Sequence, residues 1–390
     1  MNIENYDICI IGAGPSGCQC ALKLAERKLK VLLVDRFSSF KINNFSSAGT
    51  PLETLKRFNL NKEVVGSYWN NIEIFSTHNH HIWKSNKVQG AVMDFAKLKE
   101  FISNKAVKKG CKLLLGWSFE NLENDLIIIK NNEERKYIKA KVIVDATGPN
   151  RSVISKFAKK DRKYLIGIGI EYLIETKEKI IPKTLTFFLG YKWMPHGYGW
   201  IFPMNKNKYK IGVGYFKSDD KIINLTQYVE KIIHENLKLK KYKILDKHGG
   251  TLKYNLRQKD DYYHKNIIAI GDTISSVNPL GGEGIRHGMY SANVASKYII
   301  NYLKGNKISF DKYKYEMKKY FGMKYKLSEL FAYLVYMKIK DESIDKGIKY
   351  ISKLSTKEII GILFNYKFKP LIKNFKLIPY FYLKKLIKHD

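Results

Sequence analysis

Gly12-Ala13-Gly14-Pro15-Ser16-Gly17 and Asp35 are the residues whose types and spacing most directly suggest chemistry. Gly12 permits a tight turn, Gly14 leaves room for a pyrophosphate to approach the backbone, and Gly17 lets a helix pack closely on a strand. The helix that follows offers free N–H groups and a positive dipole end to phosphates. Asp35 stands where a carboxylate can accept from a ribose 2′-OH, which argues against a 2′-phosphate there. The apolar run before the glycines and the second apolar run before Asp35 supply the strand–loop–helix–strand context that makes this pattern informative. The pattern alone does not separate FAD from NAD.

Three further stretches suit a ligand. Asp145-Ala146-Thr147-Gly148 closes a buried strand with small residues. Gly271-Asp272 ends another strand, followed by Asn278-Pro279-Leu280-Gly281-Gly282-Glu283-Gly284-Ile285. Gly281–Gly284 can bring backbone N–H groups against a flat ligand at a helix N-terminus, and the Asp272 carboxylate can accept from sugar-type hydroxyls. In Pro195-His196-Gly197-Tyr198-Gly199-Trp200-Ile201-Phe202-Pro203, Tyr198, Trp200 and Phe202 alternate. On a strand they share one face, the wall of a cavity.

These residues need elements to hold them. Ile8–Ile11 and Val31–Val34 read as buried strands around a helix from Cys18 to Lys28, with Cys20, Ala21, Leu24 and Ala25 on one face. Pro51 opens a helix through Leu52, Leu55 and Phe58. Ile72–Ser76 and His81–Lys84 are short strands. The turn between them carries His78, His80 and His81, a solvated loop rather than a metal site, because no carboxylate or Cys supports it. A helix is expected from Phe95 to Lys109, and strands over Cys111–Leu115, Leu126–Ile129, Tyr137–Ile138 and Val142–Val144. Tyr164 to Gly214 is β-rich and implies a mainly antiparallel sheet. Ile222 to Leu239 reads as a helix, Lys253–Leu256 as a strand, and another helix runs through Met289, Ala292, Ala295 and Ile299. Helical patterns continue from Ser309, with Leu327, Leu330, Phe331, Leu334 and Val335 in one helix. The tail Leu371–Lys388 is amphipathic, with Leu377, Ile378, Tyr380, Phe381, Leu383, Leu386 and Ile387 among lysines and Pro379 breaking the run. It fits a membrane surface or packing onto its own protein.

The 390 residues can bury a large core and form two or three lobes. The formal charge of +34 is carried by lysines spread along the chain. Abundant Lys, Ile, Asn and Tyr point to coding bias as its origin, but the field it creates attracts anionic head groups all the same. Cys9, Cys18, Cys20 and Cys111 lack metal-finger spacing, and a reduced cytoplasmic protein without structural disulfides is expected. The fold begins by Tyr6, which leaves no room for a signal peptide, and no apolar run approaches the ~20 residues that span a bilayer.

Taken together, Gly12–Gly17 with Asp35, Asp145–Gly148, and Gly271–Asp272 with Asn278–Ile285 resemble the flavoproteins of the aromatic-hydroxylase class in order and spacing over most of the chain. Within that class, Pro195–Pro203 resembles the P-x-x-Y-x-W-x-F-P signature of geranylgeranyl reductases at every fixed position. The resemblance implies an α/β fold: a Rossmann-like FAD-binding domain, an antiparallel β-sheet substrate domain and a C-terminal helical region. The expected boundaries are 1–160 for the first part of the FAD domain with an insertion near 65–90, then 161–255 for the substrate domain. The FAD domain resumes over 256–305, and the helical region occupies 306–390.

The resemblance also implies extended FAD, with Gly12, Gly14 and Gly17 at the pyrophosphate, Asp35 at the adenosine ribose, Asp272 at the ribityl and phosphate region, and Gly284 and Ile285 beside the flavin ring. Pro15, Ser16, Arg36, Ala48, Gly49, Asp145, Gly148, Gly271, Pro279 and Gly282 complete the implied cofactor set. Tyr198, Trp200 and Phe202 would face the ring across a prenyl tunnel. Tyr198, Trp200, His196 and Glu283 form the implied catalytic set, with Tyr198, His196 and Glu283 as acid candidates. Two positions depart from the family: archaeal members usually carry Cys-Gly where this chain has Ser47-Ala48-Gly49, and V-x-D-R is Val92-Met93-Asp94-Phe95 here.

The expected activity is reduction of C=C bonds in a geranylgeranyl or other polyprenyl group, with electrons from NADPH or reduced ferredoxin. The partners are an isoprenoid or lipid-like substrate and an anionic membrane surface. Two other activities share the FAD motifs: a flavin monooxygenase or halogenase, and a redox-neutral lycopene-cyclase-like enzyme. Halogenases carry W-x-W-x-I-P, whereas this chain has Tyr198 and Phe202 at the differing positions. A nucleic-acid binder would need a localised basic patch or a recognised module, and the sequence offers neither.

Overall fold

The computed structural model describes residues 2–42, 46–158, 163–178, 180–217 and 223–374. Apolar runs flanked on both sides by helices give buried parallel strands. The eight-stranded sheet follows the order Tyr263–His264, Ile267–Ala269, Arg135–Asp145, Ile3–Ile11, Val31–Asp35, Lys112–Leu115, with Leu126–Lys130 and Ser118–Glu123 added beside Arg135–Asp145. Ile3–Ile11 pairs in parallel with both neighbours, and Ile11 lies opposite Asp145 on one side and Val34 on the other. Ile267–Ala269 runs parallel to Arg135–Asp145. The C-terminal ends of these strands therefore converge, which is where ligands bind in open α/β sheets. Helix Pro15–Ala25 packs between Phe95–Lys108 and Ile285–Leu303. The four cysteines are buried and free.

A buried carboxylate fixes the second loop at this end of the sheet. Asp145 is fully buried. One of its oxygens accepts from Thr147 N (3.0 Å) and Thr147 Oγ1 (2.7 Å), and the other from Val153 N (2.9 Å) and Ile154 N (2.8 Å). The expected strands at Tyr137–Ile138 and Val142–Val144 are one continuous strand, because the polar residues between them still pair with Lys139 opposite Asn5 and Ala140 opposite Tyr6.

The second sheet has seven strands, in the order Lys243–Asn255, Tyr164–Glu175, Lys208–Phe216, Gly197–Met204, Thr184–Leu189, Asn71–Phe75, His80–Trp83. It is antiparallel except where Thr184–Leu189 meets Asn71–Phe75. Two strands from early in the chain thus extend the later sheet. His80 and His81 lie in the last of them, with His80 stacked on Phe75 and His81 edge-on to Trp83. Lys243–Asn255 is far longer than the expected Lys253–Leu256. Its charged and glycine residues mask the alternation, and pairing with Tyr164–Glu175 along nearly its whole length forms it. A small third sheet joins Gly49–Pro51, Gly90–Met93 and Val65–Trp69.

The helices after residue 308 tie the two sheets together. Ser309–Tyr333 kinks at Gly322, whose φ of +45° suits glycine. Asp341–Ile351 follows, and its Asp345 accepts from Ser76 Oγ (2.5 Å) and His78 N (3.0 Å). Thr356–Asn365 starts from a Ser355–Glu358 capping box. The amphipathic tail lies outside the described residues beyond residue 374. Among the described residues no helix is long and apolar enough to cross a membrane.

Asp145→Ala strands four donors at once, and we expect it to destabilise the fold by about 3 kcal/mol or more. Urea unfolding followed by tryptophan fluorescence measures this, and an unchanged midpoint would show that the carboxylate does not fix the loop.

Candidate active site

The loops at the C-terminal strand ends are packed to backbone contact. A Cβ on Gly12 would sit 2.4 Å from Ala146 O, and Gly12 has a φ of +105°. A Cβ on Gly17 would sit 1.8 Å from Gly12 O. Gly14 is different, because a Cβ there meets nothing within 4 Å. The first and third glycines are therefore required by the fold, while the second faces open space beside the cavity.

That cavity is about 310 Å3 and lies between the two sheets. Gly14, Pro15 and Ser16 line one side with Ala146, Gly148, Gly271 and Asp272, and Gly282, Gly284 and Ile285 close an end. Helix Pro15–Ala25 begins behind Gly14 and helix Ile285–Leu303 behind Gly284. The first N-terminus has no side-chain cap and no acid in its first turn, whereas at the second the Glu283 carboxylate accepts from Arg286 N at 3.1 Å. The open positive dipole end at Gly14 is thus a good fit for a pyrophosphate. Burial pushes the Asp272 carboxyl above the usual carboxylate range, opposed by the Ser276 hydroxyl at 2.9 Å and by the Arg151 charge. Hydroxyl donors from a bound ribityl chain would relieve that cost. The residues present therefore fit FAD.

The opposite wall is the seven-stranded sheet. Along one row, Tyr198 lies opposite Gly214, Gly214 opposite Gly169, and Gly169 opposite Gly250. In this row three adjacent strands thus lack side chains, leaving a trough about 10 Å wide by strand spacing. Trp200, from the next row, borders it on one side, and Phe216 and Leu252 on the other. The trough is missing from the sequence-level site, although the pairs Gly167-x-Gly169, Gly212-x-Gly214 and Gly249-Gly250 were its signal.

The aromatic strand splits. Tyr198 and Trp200 line the cavity, whereas Phe202 packs on Phe187 and fills the space at Gly49, where a Cβ would lie 2.7 Å from its ring. The Tyr198 hydroxyl faces Gly282, and burial, then the nearby Glu171, pushes its pKa up to about 12. The Trp200 indole N–H donates to Glu171 Oε2 at 2.8 Å, deep in the sheet. Glu171 is absent from the sequence-level site. Its signal was an acid in the middle of the apolar run Ile166–Ile174.

Several expected residues stand elsewhere. His196 sits on the turn before the aromatic strand against Tyr191 and does not line the cavity. Glu283 is held by Arg286 at 3.1 Å, and this pair is buried, so it serves the loop rather than standing free as an acid. Pro279, Ala48 and Gly49 do not line the cavity, and Asp145 is consumed by its loop. Asp35 braces the first loop by accepting from Ala13 N (2.7 Å) and Phe37 N (2.9 Å), and Arg36 covers the Phe37 ring outside the cavity. At the departure from V-x-D-R, Phe95 stands in the arginine's place and lines the cavity, and the retained Asp94 caps helix Phe95–Lys108 through Lys97 N.

Two arginines absent from the sequence-level site hold the loops. Arg151 is buried and joins Asp260 (3.3 Å), Ser275 Oγ (3.0 Å) and Lys253 O (3.0 Å). Arg286 links Glu283 to Glu53 (3.0 Å), Asn365 (2.8 Å) and the Phe364 carbonyl. In a chain so rich in lysine, an arginine directly after each loop motif was the available signal.

Gly14→Val should fold as the parent does and lose the cofactor, read as absent yellow colour in a protein with an unchanged circular dichroism spectrum. A fully loaded variant would contradict the role of this loop. Beside Arg286, His287 is buried, and burial, then the charges of Arg286, Lys324 and Arg57, hold its pKa well below 6.5. The folded state thus binds fewer protons than the unfolded chain as pH falls below 6.5, so stability is present above that pH and lost beneath it. The loss is up to about 1.4 kcal/mol per pH unit. His287→Gln should flatten this dependence in unfolding titrations from pH 7 to 5.

Two family models match adjoining parts of the chain: an FAD dependent oxidoreductase over residues 7–151 and a geranylgeranyl reductase catalytic domain over residues 166–252. A digeranylgeranylglycerophospholipid reductase of Haloferax volcanii is 29% identical over 317 residues, covering 75% of each chain. A second such reductase, from Methanosphaera stadtmanae, is 23% identical and covers 97% of this chain and all of its own. A crystal structure of a geranylgeranyl bacteriochlorophyll reductase-like protein from Thermoplasma acidophilum superposes with a TM-score of 0.82 at 19% identity, over 95% of this chain and 99% of that one. A flavin-dependent brominase shares the fold with a TM-score of 0.66 at 17% identity, over 89% and 93%. With the first family model on the strand–loop–helix unit and the second on the sheet that carries the glycine trough, the chain is an FAD-dependent oxidoreductase similar to the geranylgeranyl reductases.

Proposed function

We propose that the protein reduces C=C bonds of a geranylgeranyl or other polyprenyl group, and that the glycine trough holds the chain being reduced. The observation that carries this reading is a side-chain-free channel, walled by Tyr198, Trp200, Phe216 and Leu252, in the same cavity as the Gly14 and Gly284 loops. A methyl-branched, unfunctionalised chain offers no hydrogen bonds, so shape and apolar contact must position it. Reduced FAD supplies the hydride when bound, and one proton adds to the other carbon of each double bond.

The chain's own residues exclude water and fix the alkene. Tyr198 and Trp200 present π faces that suit positive charge building on the alkene as it is protonated. Tyr198 is the acid candidate that reaches the cavity. Cofactor contacts fall to Gly14, Pro15, Ser16, Gly148, Gly271, Asp272, Gly282, Gly284 and Ile285 in this reading, and Gly12, Gly17, Asp35 and Asp145 shape the loops that carry them. NADPH or reduced ferredoxin is the electron source. The setting is cytoplasmic, at an anionic membrane surface, in keeping with the net charge of +34.

A Cβ on Gly214 meets only ordinary contacts, the nearest at 3.5 Å, so Gly214→Val is compatible with the strand and fills the trough. The expected outcome is full FAD content with anaerobic flavin reoxidation by a geranylgeranyl lipid slowed roughly 100-fold, the scale of an overpacked site. An unchanged rate would remove the trough from the substrate path.

A further inference from the structure

Trp200 is the trough wall whose only polar atom points away from the trough. Its ring lies over Gly212, where a Cβ would come within 2.3 Å of the indole. Its N–H runs along the same face of the sheet, across Gly212, and meets Glu171, which is 0% exposed. The second Glu171 oxygen lies 3.2 Å from His248 Nε2, and His248 Nδ1 lies 2.9 Å from Asp246 Oδ2. The His248 side chain is 10% exposed and that of Asp246 48%, so the chain of contacts runs from a cavity wall to solvent. Strand register produces it: Trp200 lies opposite Gly212, Gly212 opposite Glu171, and Glu171 opposite His248.

We propose that Glu171 and His248 are positioning residues for Trp200, the carboxylate gripping the indole N–H and the protonated imidazole holding the carboxylate, so that this wall of the trough is set by a pH-dependent relay. The inference rests on the function proposed above only for its effect on turnover. The hold on the indole stands on geometry alone.

Burial acts to lower the His248 imidazole, but the Glu171 hydrogen bond and charge, then those of Asp246, outweigh it and keep its pKa above the ordinary 6.5. The contribution of the relay is therefore complete below pH 6.5 and lost as pH rises through the higher folded value. Among the described residues, charged and titratable groups near the relay include Lys210 and the Tyr198 hydroxyl, both near Glu171, and Lys247, which turns to the other face over the Tyr172 ring. Lys210 donates to Ser46 O at 2.6 Å, and burial lowers its pKa. Neither Tyr198 nor Lys210 bonds the imidazole, so a transition assigned to His248 must vanish when that side chain is replaced.

The test uses the FAD-loaded enzyme labelled with 15N. Its five tryptophans give five indole N–H signals, and Trp200→Phe assigns the one that matters. The Trp200 signal should move as pH rises from 6 to 9, stay fixed in His248→Gln, and sit upfield at every pH in Glu171→Gln. Asp246→Asn alters a half-exposed side chain, which keeps the fold intact if the buried variants fail, and should lower the midpoint by about half a pH unit. With a geranylgeranyl lipid as substrate, kcat should fall along the same alkaline limb and drop about 10-fold in Glu171→Gln at constant FAD content, the scale of one hydrogen bond to a charged group. A Trp200 signal that does not titrate in the wild type, or titrates identically in His248→Gln, overturns the relay. A wild type that titrates as expected but turns over no polyprenyl substrate refutes the proposed function and leaves the relay standing.

Discussion

Backbone contact between loops is the constraint on which the cavity depends. Gly12 and Gly17 approach each other and Ala146 so closely that a single Cβ would collide with a carbonyl oxygen. Ala146 can come that near because Asp145 holds its own loop through four hydrogen bonds. Gly271, with a φ of +66°, completes the stack against Ser16. Together these contacts bring three strand ends to one place and leave Gly14 facing open space. The open space beside Gly14 thus remains because the surrounding loops are too tightly packed to fill it.

The other end of the cavity is built differently. The Asn278–Gly284 loop closes on itself through Asn278 N to Glu283 O (3.0 Å) and Gly282 N to Asn278 O (2.8 Å), and it is also held from outside. Asn278 Nδ2 donates to Leu363 O (3.0 Å), Ser328 Oγ to Asn278 Oδ1 (2.5 Å), and Tyr336 OH to Leu280 O (2.6 Å). Arg286 adds Glu283, Glu53, Asn365 and the Phe364 carbonyl. The C-terminal helices are thus part of this loop's scaffold. Tyr336 also stacks on Tyr198, ring centroids 5.6 Å apart, so the same helix braces the aromatic wall.

Legibility in the sequence followed sequence distance. The glycine loop, its helix and Asp35 lie within about thirty consecutive residues, and their periodicity and spacing are strong local signals. The signature around Tyr198 and Trp200 is equally local, but it could not show that Phe202 turns to the Gly49 side, because alternation gives a face and not what covers it. Glu171 and His248 are 77 residues apart and meet only through the register of two strands, one of which, Lys243–Asn255, reads as polar. The trough is likewise a property of three strands side by side. Glu283 shows the converse: its position beside the glycines suggests chemistry, and only the fold reveals that Arg286 holds it.

In the proposed reaction a polyprenyl chain lies in the trough and is reduced there. Product mass after one anaerobic turnover tests it most directly: the purified yellow enzyme is reduced in the absence of oxygen, mixed with a geranylgeranyl lipid, and extracted. The expected result is a product heavier by whole pairs of hydrogens with the flavin reoxidised in proportion. An unchanged lipid beside flavin that stays reduced, or a product carrying oxygen or halogen when the reaction is repeated in air with halide, would contradict it.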